Sequence, residues 1–172
     1  MNEDFTSLVF YRNNSILSKL IRLFTYSETS HVAICVERWG TKLLYQGTTR
    51  GVVFDTKESY ELKTGNTEVA EYQIKVPVEH GMKYLLSLLG SKYDFAGAAG
   101  VGIVKVFKKW FGKKIKNPFA SPKSLICSEL VTELNHYGEI MSFDPLDPER
   151  TSPGDLLEIC RKDCYNEFEK VE

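Results

Sequence analysis

The sequence lacks a long hydrophobic run and a large net charge of either sign. Its formal charge is −1 over 172 residues, so no overall positive field attracts a polyanion, and we expect no nucleic-acid partner. No stretch approaches the ~18 uninterrupted apolar residues of a membrane-spanning helix. The first residues are acidic and polar and do not resemble a signal peptide. These absences predict a cytoplasmic protein, with a phage-encoded product released at lysis as a variant of that reading.

Cysteine and histidine are also scarce, with four and three residues respectively. Thiols stay reduced in a cytoplasm, so the sequence predicts free cysteines rather than a disulfide framework. Cys160 and Cys164 have helical spacing, but no histidine lies near them in the sequence, so burial is the better interpretation. We therefore expect no metal site and no cofactor.

One segment departs from an otherwise ordinary globular composition of 42% hydrophobic and 26% charged residues. Residues 95–126 contain seven lysines and no acidic residue. We predict a single domain, 1–172, with a basic and apolar helical segment at about 95–120. Three interpretations of the segment stay open: its apolar side packs on the core, it forms a lid over the cysteine that follows it, Cys127, or residues 95–116 contact a membrane interface.

Hydrophobic periodicity predicts a mixture of helices and strands. We predict strands at 7–11, 31–37, 42–47, 51–54 and 69–76, and helices at 16–24, 79–89 and 128–137, with a closing helix that begins at Pro153.

His31 lies at the start of the second predicted strand, and the following turn defines its neighbours. If residues 39–40 form a two-residue turn, Ala33 lies opposite Gln46. Gln46 is then the diagonal neighbour of His31, roughly 7–8 Å away between Cα atoms, and its carbonyl can orient the imidazole. A change of one residue in the loop would move Gln46 to the opposite face. Glu37 is the alternative orienting residue.

Cys127 lies near the first turn of a predicted amphipathic helix. Unpaired backbone N–H groups and the helix dipole favour a thiolate there, and the same groups can bind an oxyanion. A thiol on a helix and an imidazole on a strand are the two parts of an activated cysteine nucleophile. The alternative is structural: Cys127 as a buried small hydrophobic residue and His31 as a packing residue.

Several short strings, in this order and spacing, resemble the permuted papain-like hydrolases, specifically the YiiX-like group related to NlpC-type cell-wall amidases. The strings are Ser30-His31-Val32-Ala33-Ile34, Leu44-Tyr45-Gln46-Gly47, Gly90-Ser91-Lys92-Tyr93-Asp94, Ile126-Cys127-Ser128-Glu129-Leu130-Val131 and Thr151-Ser152-Pro153-Gly154-Asp155-Leu156. The resemblance implies a permuted papain-like α+β fold. In that fold an antiparallel sheet with the histidine packs against helices, one of which has the cysteine at its N-terminus.

The resemblance also implies a catalytic site. Cys127 would be the nucleophile, His31 the base, Gln46 the orienting group, and Tyr93 a hydrogen-bond donor to the oxyanion. Relatives commonly have a glutamate or another polar residue where this chain has glutamine. The implied activity is a cysteine hydrolase that cleaves an amide of a peptidoglycan-type or γ-glutamyl-type peptide through a thioester.

Two other functions stay open for the same fold. Lecithin–retinol acyltransferase-like proteins share the permuted order, so a lipid acyltransferase or thioesterase is one alternative. A catalytically inactive binding module is the other, and the neutral Gln46 favours it. The expected partner is therefore a peptide or acyl substrate.

Overall fold

The computed structural model describes residues 5–48, 50–93, 124–125, 127–135, 137, 139–148, 150–163 and 165–172. The strands are β1 Thr6–Arg12, β2 His31–Arg38, β3 Thr41–Thr48, β4 Gly51–Thr56, β5 Thr67–Ile74, β6 Lys92–Tyr93, β7 Ser124–Leu125 and β8 Phe168–Lys170. The helices are α1 Ile16–Thr25, α2 Lys57–Thr64, α3 Glu79–Leu86, α4 Cys127–Thr132 and α5 Pro153–Lys162, with 3₁₀ turns at Glu133–Asn135 and Met141–Phe143. The predicted segment at 95–120 lies outside these residues.

Six of the strands form one antiparallel sheet in the order β4-β3-β2-β1-β5-β8. The short strands β6 and β7 pair in parallel as a separate two-stranded sheet. The α+β class and the antiparallel sheet are therefore confirmed.

The turn between β2 and β3 is the predicted two-residue turn. Trp39 and Gly40 both have positive φ, 52° and 72°, as a type I′ hairpin turn requires. Its register pairs Ile34 with Tyr45 and Cys35 with Leu44. These are the pairs that place Gln46 on the same face as His31, so the predicted register is confirmed.

The two faces of the sheet are covered unequally. The larger core lies on the face of Val32 and Ile34, where α4 and α5 contribute Leu130, Val131 and Leu156. The opposite face has a smaller core, whose members are Val9, Tyr11, Ala33, Cys35 and Leu44, and Tyr60 of α2 packs against it. His31 shares the side of Ala33 and Cys35 because strand residues alternate.

Helix α1 has the predicted position but packs on the protein with its polar face. Ser15 caps it by accepting from the backbone N–H of Ser18, which is a standard N-cap arrangement. Ser18 is the buried residue of this helix, whereas the apolar side chains of Ile16 and Leu23 are 78% and 63% exposed. The apolar face of α1 is therefore turned toward solvent.

Several parts of the fold differ from the sequence prediction. The helix predicted at 128–137 is shorter: α4 ends at Thr132 and tightens into a 3₁₀ turn, as helix ends often do. Likewise α3 ends at Leu86 rather than at residue 89. Helix α2 and the strands β6, β7 and β8 were not predicted. Among the described residues, none of the helices has the length and hydropathy needed to cross a bilayer.

Candidate active site

His31 is the first residue of β2. It pairs with Tyr11 of β1, and the hydroxyl of Thr29 donates to the carbonyl of His31 at 3.0 Å. The same hydroxyl is also 2.8 Å from the carbonyl of Tyr11. These bonds fix the backbone from which the imidazole projects.

Gln46 holds one nitrogen of the imidazole. The distance from His31 Nε2 to Gln46 Oε1 is 2.8 Å, and the Gln46 side chain is fully buried. Glu37, the alternative orienting residue, lies six residues further along β2 and pairs with Lys42. Of the two candidates, Gln46 is the residue that bonds to the ring.

Asp55 determines which way the Gln46 amide points. Gln46 Nε2 donates to Asp55 Oδ2 at 3.2 Å, and an ionised carboxylate only accepts hydrogen bonds. The amide oxygen must then face His31, so His31 Nε2 has the proton and donates it. The other ring nitrogen, Nδ1, is left for the thiol, which is the arrangement a base needs.

Arg50 binds the carboxylate of Asp55 at the protein surface. Its guanidinium lies 2.7 Å from both carboxylate oxygens of Asp55. The Arg50 side chain is 64% exposed and that of Asp55 is 18% exposed. A row of contacts therefore runs from the surface at Arg50 through Asp55 and Gln46 to His31. Asp55 and Arg50 were missed by the sequence prediction, which considered single strands and one hairpin only.

Cys127 opens α4 and is hydrogen-bonded to the His31 side chain. Cys127 is 5% exposed. Helix α4 packs against β2 and β3, and the buried Ser128 hydroxyl donates to the carbonyl of Thr151 at 2.7 Å. That bond ties the first turn of α4 to the segment before α5 and holds the cysteine in place.

The protonation of His31 depends on these same neighbours. Burial lowers the pKa of His31, but the hydrogen bond and the negative charge of Cys127, together with the bond to Gln46, outweigh it and leave the pKa raised. The imidazolium is thus favoured next to a thiolate. An imidazolium beside a thiolate is typical of an activated cysteine.

Tyr60 of α2 is a further neighbour that the sequence prediction missed. Its ring centroid lies 5.9 Å from that of His31 and 5.2 Å from that of Tyr11. Burial, followed by the charge of Cys127, raises the pKa of Tyr60, so its phenol stays neutral. Tyr60 therefore packs beside the imidazole without adding a charge.

Tyr93 approaches the site through its backbone. It lies in β6, paired with Leu125 of β7, two residues before Cys127. This pairing is consistent with the predicted position near the cysteine. The role of its side chain lies outside what the structure describes, and Tyr93 as an oxyanion donor stays a prediction.

The other two thiols that the structure describes have charged neighbours: Glu71 and Lys42 act on Cys35, and Asp163 acts on Cys160. Cys35 and Cys160 are buried free cysteines, and Cys164 lies outside the described residues. Within the part of the chain that the structure describes, histidine, cysteine and carboxylate side chains form no group of three that could hold a metal.

Comparisons with known proteins include a structural likeness. No protein-family model and no curated protein matches the chain. It is similar to the crystal structure of the metalloprotein yiiX from Escherichia coli O157:H7, with 16% sequence identity and a TM-score of 0.48. The match covers 100% of this chain and 98% of the other.

Proposed function

We propose that this chain is a cysteine hydrolase of the permuted papain-like type that cleaves an amide bond through a thioester. The observation that supports the proposal best is the His31 ring held between Gln46 and Cys127. A neutral amide that orients the histidine of a cysteine nucleophile also occurs in papain-like proteases.

The proposed acylation uses the ion pair directly. The Cys127 thiolate attacks the substrate carbonyl carbon, and a carbon–sulfur bond forms. The imidazolium of His31 gives its Nδ1 proton to the leaving nitrogen, and the carbon–nitrogen bond breaks. The products are a free amine and a thioester on Cys127, with His31 now neutral.

Deacylation then restores the pair. Neutral His31 takes a proton from water, whose oxygen attacks the thioester carbonyl. The carbon–sulfur bond breaks, the carboxylic acid leaves, and Cys127 returns to the thiolate beside the imidazolium. Throughout both steps Gln46 and Asp55 keep Nε2 protonated, so that Nδ1 is the nitrogen that exchanges protons.

The substrate class follows from the resemblance rather than from the site. Peptidoglycan-type and γ-glutamyl-type peptides are therefore the first substrates to test. Backbone N–H groups at the start of α4 and the hydroxyl of Tyr93 are our candidates for oxyanion binding.

A trapping experiment tests the proposal. The protein is mixed with a γ-glutamyl anilide, a peptidoglycan-type peptide or an acyl ester, quenched in acid, and weighed by intact mass spectrometry. We expect an acyl adduct on Cys127 and amine release with the amide substrates. Cys35→Ala is the matched control and should still acylate.

Other results would change the assignment. Acylation by the ester alone would indicate a thioesterase or an acyltransferase rather than an amidase. No adduct with any substrate, together with an unreactive Cys127, would contradict the hydrolase proposal and leave a binding module.

A further inference from the structure

Helix α1 is amphipathic but packs on the protein with its polar side. At 100° per residue, five of its apolar residues lie within an arc of roughly 120°. The members of this outward face are Ile16, Leu17, Leu20, Leu23 and Phe24, which are 78%, 42%, 42%, 63% and 40% exposed.

The contacts of the polar side explain this orientation. The buried hydroxyl of Ser18 lies 2.6 Å from the hydroxyl of Ser30, and it accepts from the backbone N–H of Asn13 at 3.2 Å. Arg22 donates to the Asn13 carbonyl at 3.4 Å. A rotation of α1 that buried its apolar face would break all three bonds.

The charged residues of α1 and of the chain just before it are basic, and the first acidic residue after the helix, Glu28, is paired with Arg161. From Phe5 to Ser27 the sequence has three basic residues, Arg12, Lys19 and Arg22, and no acidic residue, although the whole chain has a net charge of −1. Arg12 and Lys19 are exposed. Long basic side chains at the edge of an apolar face can reach up to anionic headgroups while the apolar side chains enter the lipid.

We propose that α1 docks this protein on an anionic lipid surface, with its outward face inserted among the acyl chains and Lys19 and Arg12 at the headgroups. Charge complementarity selects an anionic membrane as the occupant. The Ser18–Ser30 bond joins α1 to the residue before His31, so the docked protein holds its candidate site close to the lipid. The proposal does not rest on the hydrolase activity.

Vesicle co-sedimentation tests the docking. The full chain is mixed with vesicles of phosphatidylcholine alone or of phosphatidylcholine with phosphatidylglycerol. We expect binding to the anionic vesicles at low ionic strength and its loss at about 1 M salt, where the Debye length is about 3 Å. The double variant Leu20→Ser/Leu23→Ser should bind at least about tenfold more weakly, because two inserted side chains are lost.

Two further variants separate the apolar and the electrostatic parts. Lys19→Glu should weaken binding to anionic vesicles severalfold. Leu62→Ser is the matched control, because Leu62 lies in α2 and is 77% exposed; it should bind like the wild type. Substitutions at exposed positions are expected to leave the fold intact, which circular dichroism checks.

Three results would overturn the proposal. The first is no wild-type binding to anionic vesicles at low salt. The second is undiminished binding by Leu20→Ser/Leu23→Ser, which would place the contact elsewhere on the chain. The third is a dimer, measured by light scattering, that this double variant dissociates, because a second copy of the chain would then cover the face.

Discussion

Cys35 and Cys127 are both buried thiols, but their surroundings differ. Cys35 lies within β2, four residues from His31, and burial and the carboxylate of Glu71 raise its pKa to about 11 despite the opposing effect of Lys42. Cys127 is the first residue of α4 and is hydrogen-bonded to the imidazole of His31. Burial is common to both, so the adjacent base and the opening of the helix are what distinguish the candidate nucleophile.

The largest expected difference between the two thiols is the loss of activity when each is replaced by alanine. Cys127→Ala deletes the nucleophile, and we expect at least about a 10³-fold loss of amide hydrolysis. Cys35→Ala removes a sulfur that contacts no part of the proposed reaction, and activity should stay within about threefold. Steady-state rates on the best substrate from the trapping experiment measure both. Equal losses in the two variants would contradict the assignment.

Gln46→Ala should have the next largest effect. Without the amide, the ring loses its orienting bond, and we expect a loss of about 10- to 100-fold in kcat/KM. The raised pKa of His31 keeps the imidazolium to a pH above its ordinary ~6.5. Gln46 is one cause of that rise, so the alkaline limb of the pH–rate profile should move to lower pH in the variant.

Glu37→Gln is the control for Gln46→Ala, because Glu37 is the other polar residue that could have oriented the ring from β2. Glu37→Gln should change neither kcat/KM nor the pH of the alkaline limb of the pH–rate profile. A shift in Glu37→Gln without one in Gln46→Ala would reverse the assignment of the orienting residue. Thermal unfolding of each variant confirms that the comparison is made between folded proteins.

Asp55→Asn should have a smaller effect of the same kind. An asparagine can donate as well as accept, so the Gln46 amide is free to rotate and to offer its NH₂ group to His31. We expect a loss of about 3- to 10-fold and a small shift of the alkaline limb to lower pH. An unchanged profile would show that Asp55 does not position the ring.

Arg50→Ala is the matched control for Asp55→Asn. It removes the exposed partner of the carboxylate but leaves the carboxylate itself in place. Exposed ion pairs contribute about 0–1 kcal/mol, so the rate should stay within about threefold. An effect of Arg50→Ala larger than that of Asp55→Asn would indicate that Arg50 acts on the substrate directly.

The contact between His31 and Gln46 could be predicted from the sequence because a local turn and strand alternation determine it. A two-residue turn at 39–40 sets the β2–β3 register, and strand alternation then places Gln46 beside His31. The closing helix was equally readable, since Pro153 follows the N-cap Ser152, which forms a capping box with Asp155.

The parts that were missed depend on contacts distant in sequence or on weak patterns. Helix α2 has little apolar periodicity; its signals were the N-cap Thr56 and the glycine at its C-terminus, Gly65, with positive φ. Asp55 reaches Gln46 only through the β3–β4 pairing. The periodicity located α1 correctly, but no local rule shows that Ser18 rather than Leu20 faces the protein.

The most direct test of the account is the pH dependence of Cys127 alkylation by iodoacetamide, read by peptide mass in the wild type and in His31→Ala, with Cys35 as the internal reference. The account predicts a wild-type midpoint well below the ~8.5 of an ordinary thiol. That midpoint should move up in His31→Ala, while Cys35 stays unlabelled at neutral pH in both proteins. Slow labelling of Cys127 that is the same with and without His31 would contradict the activated pair.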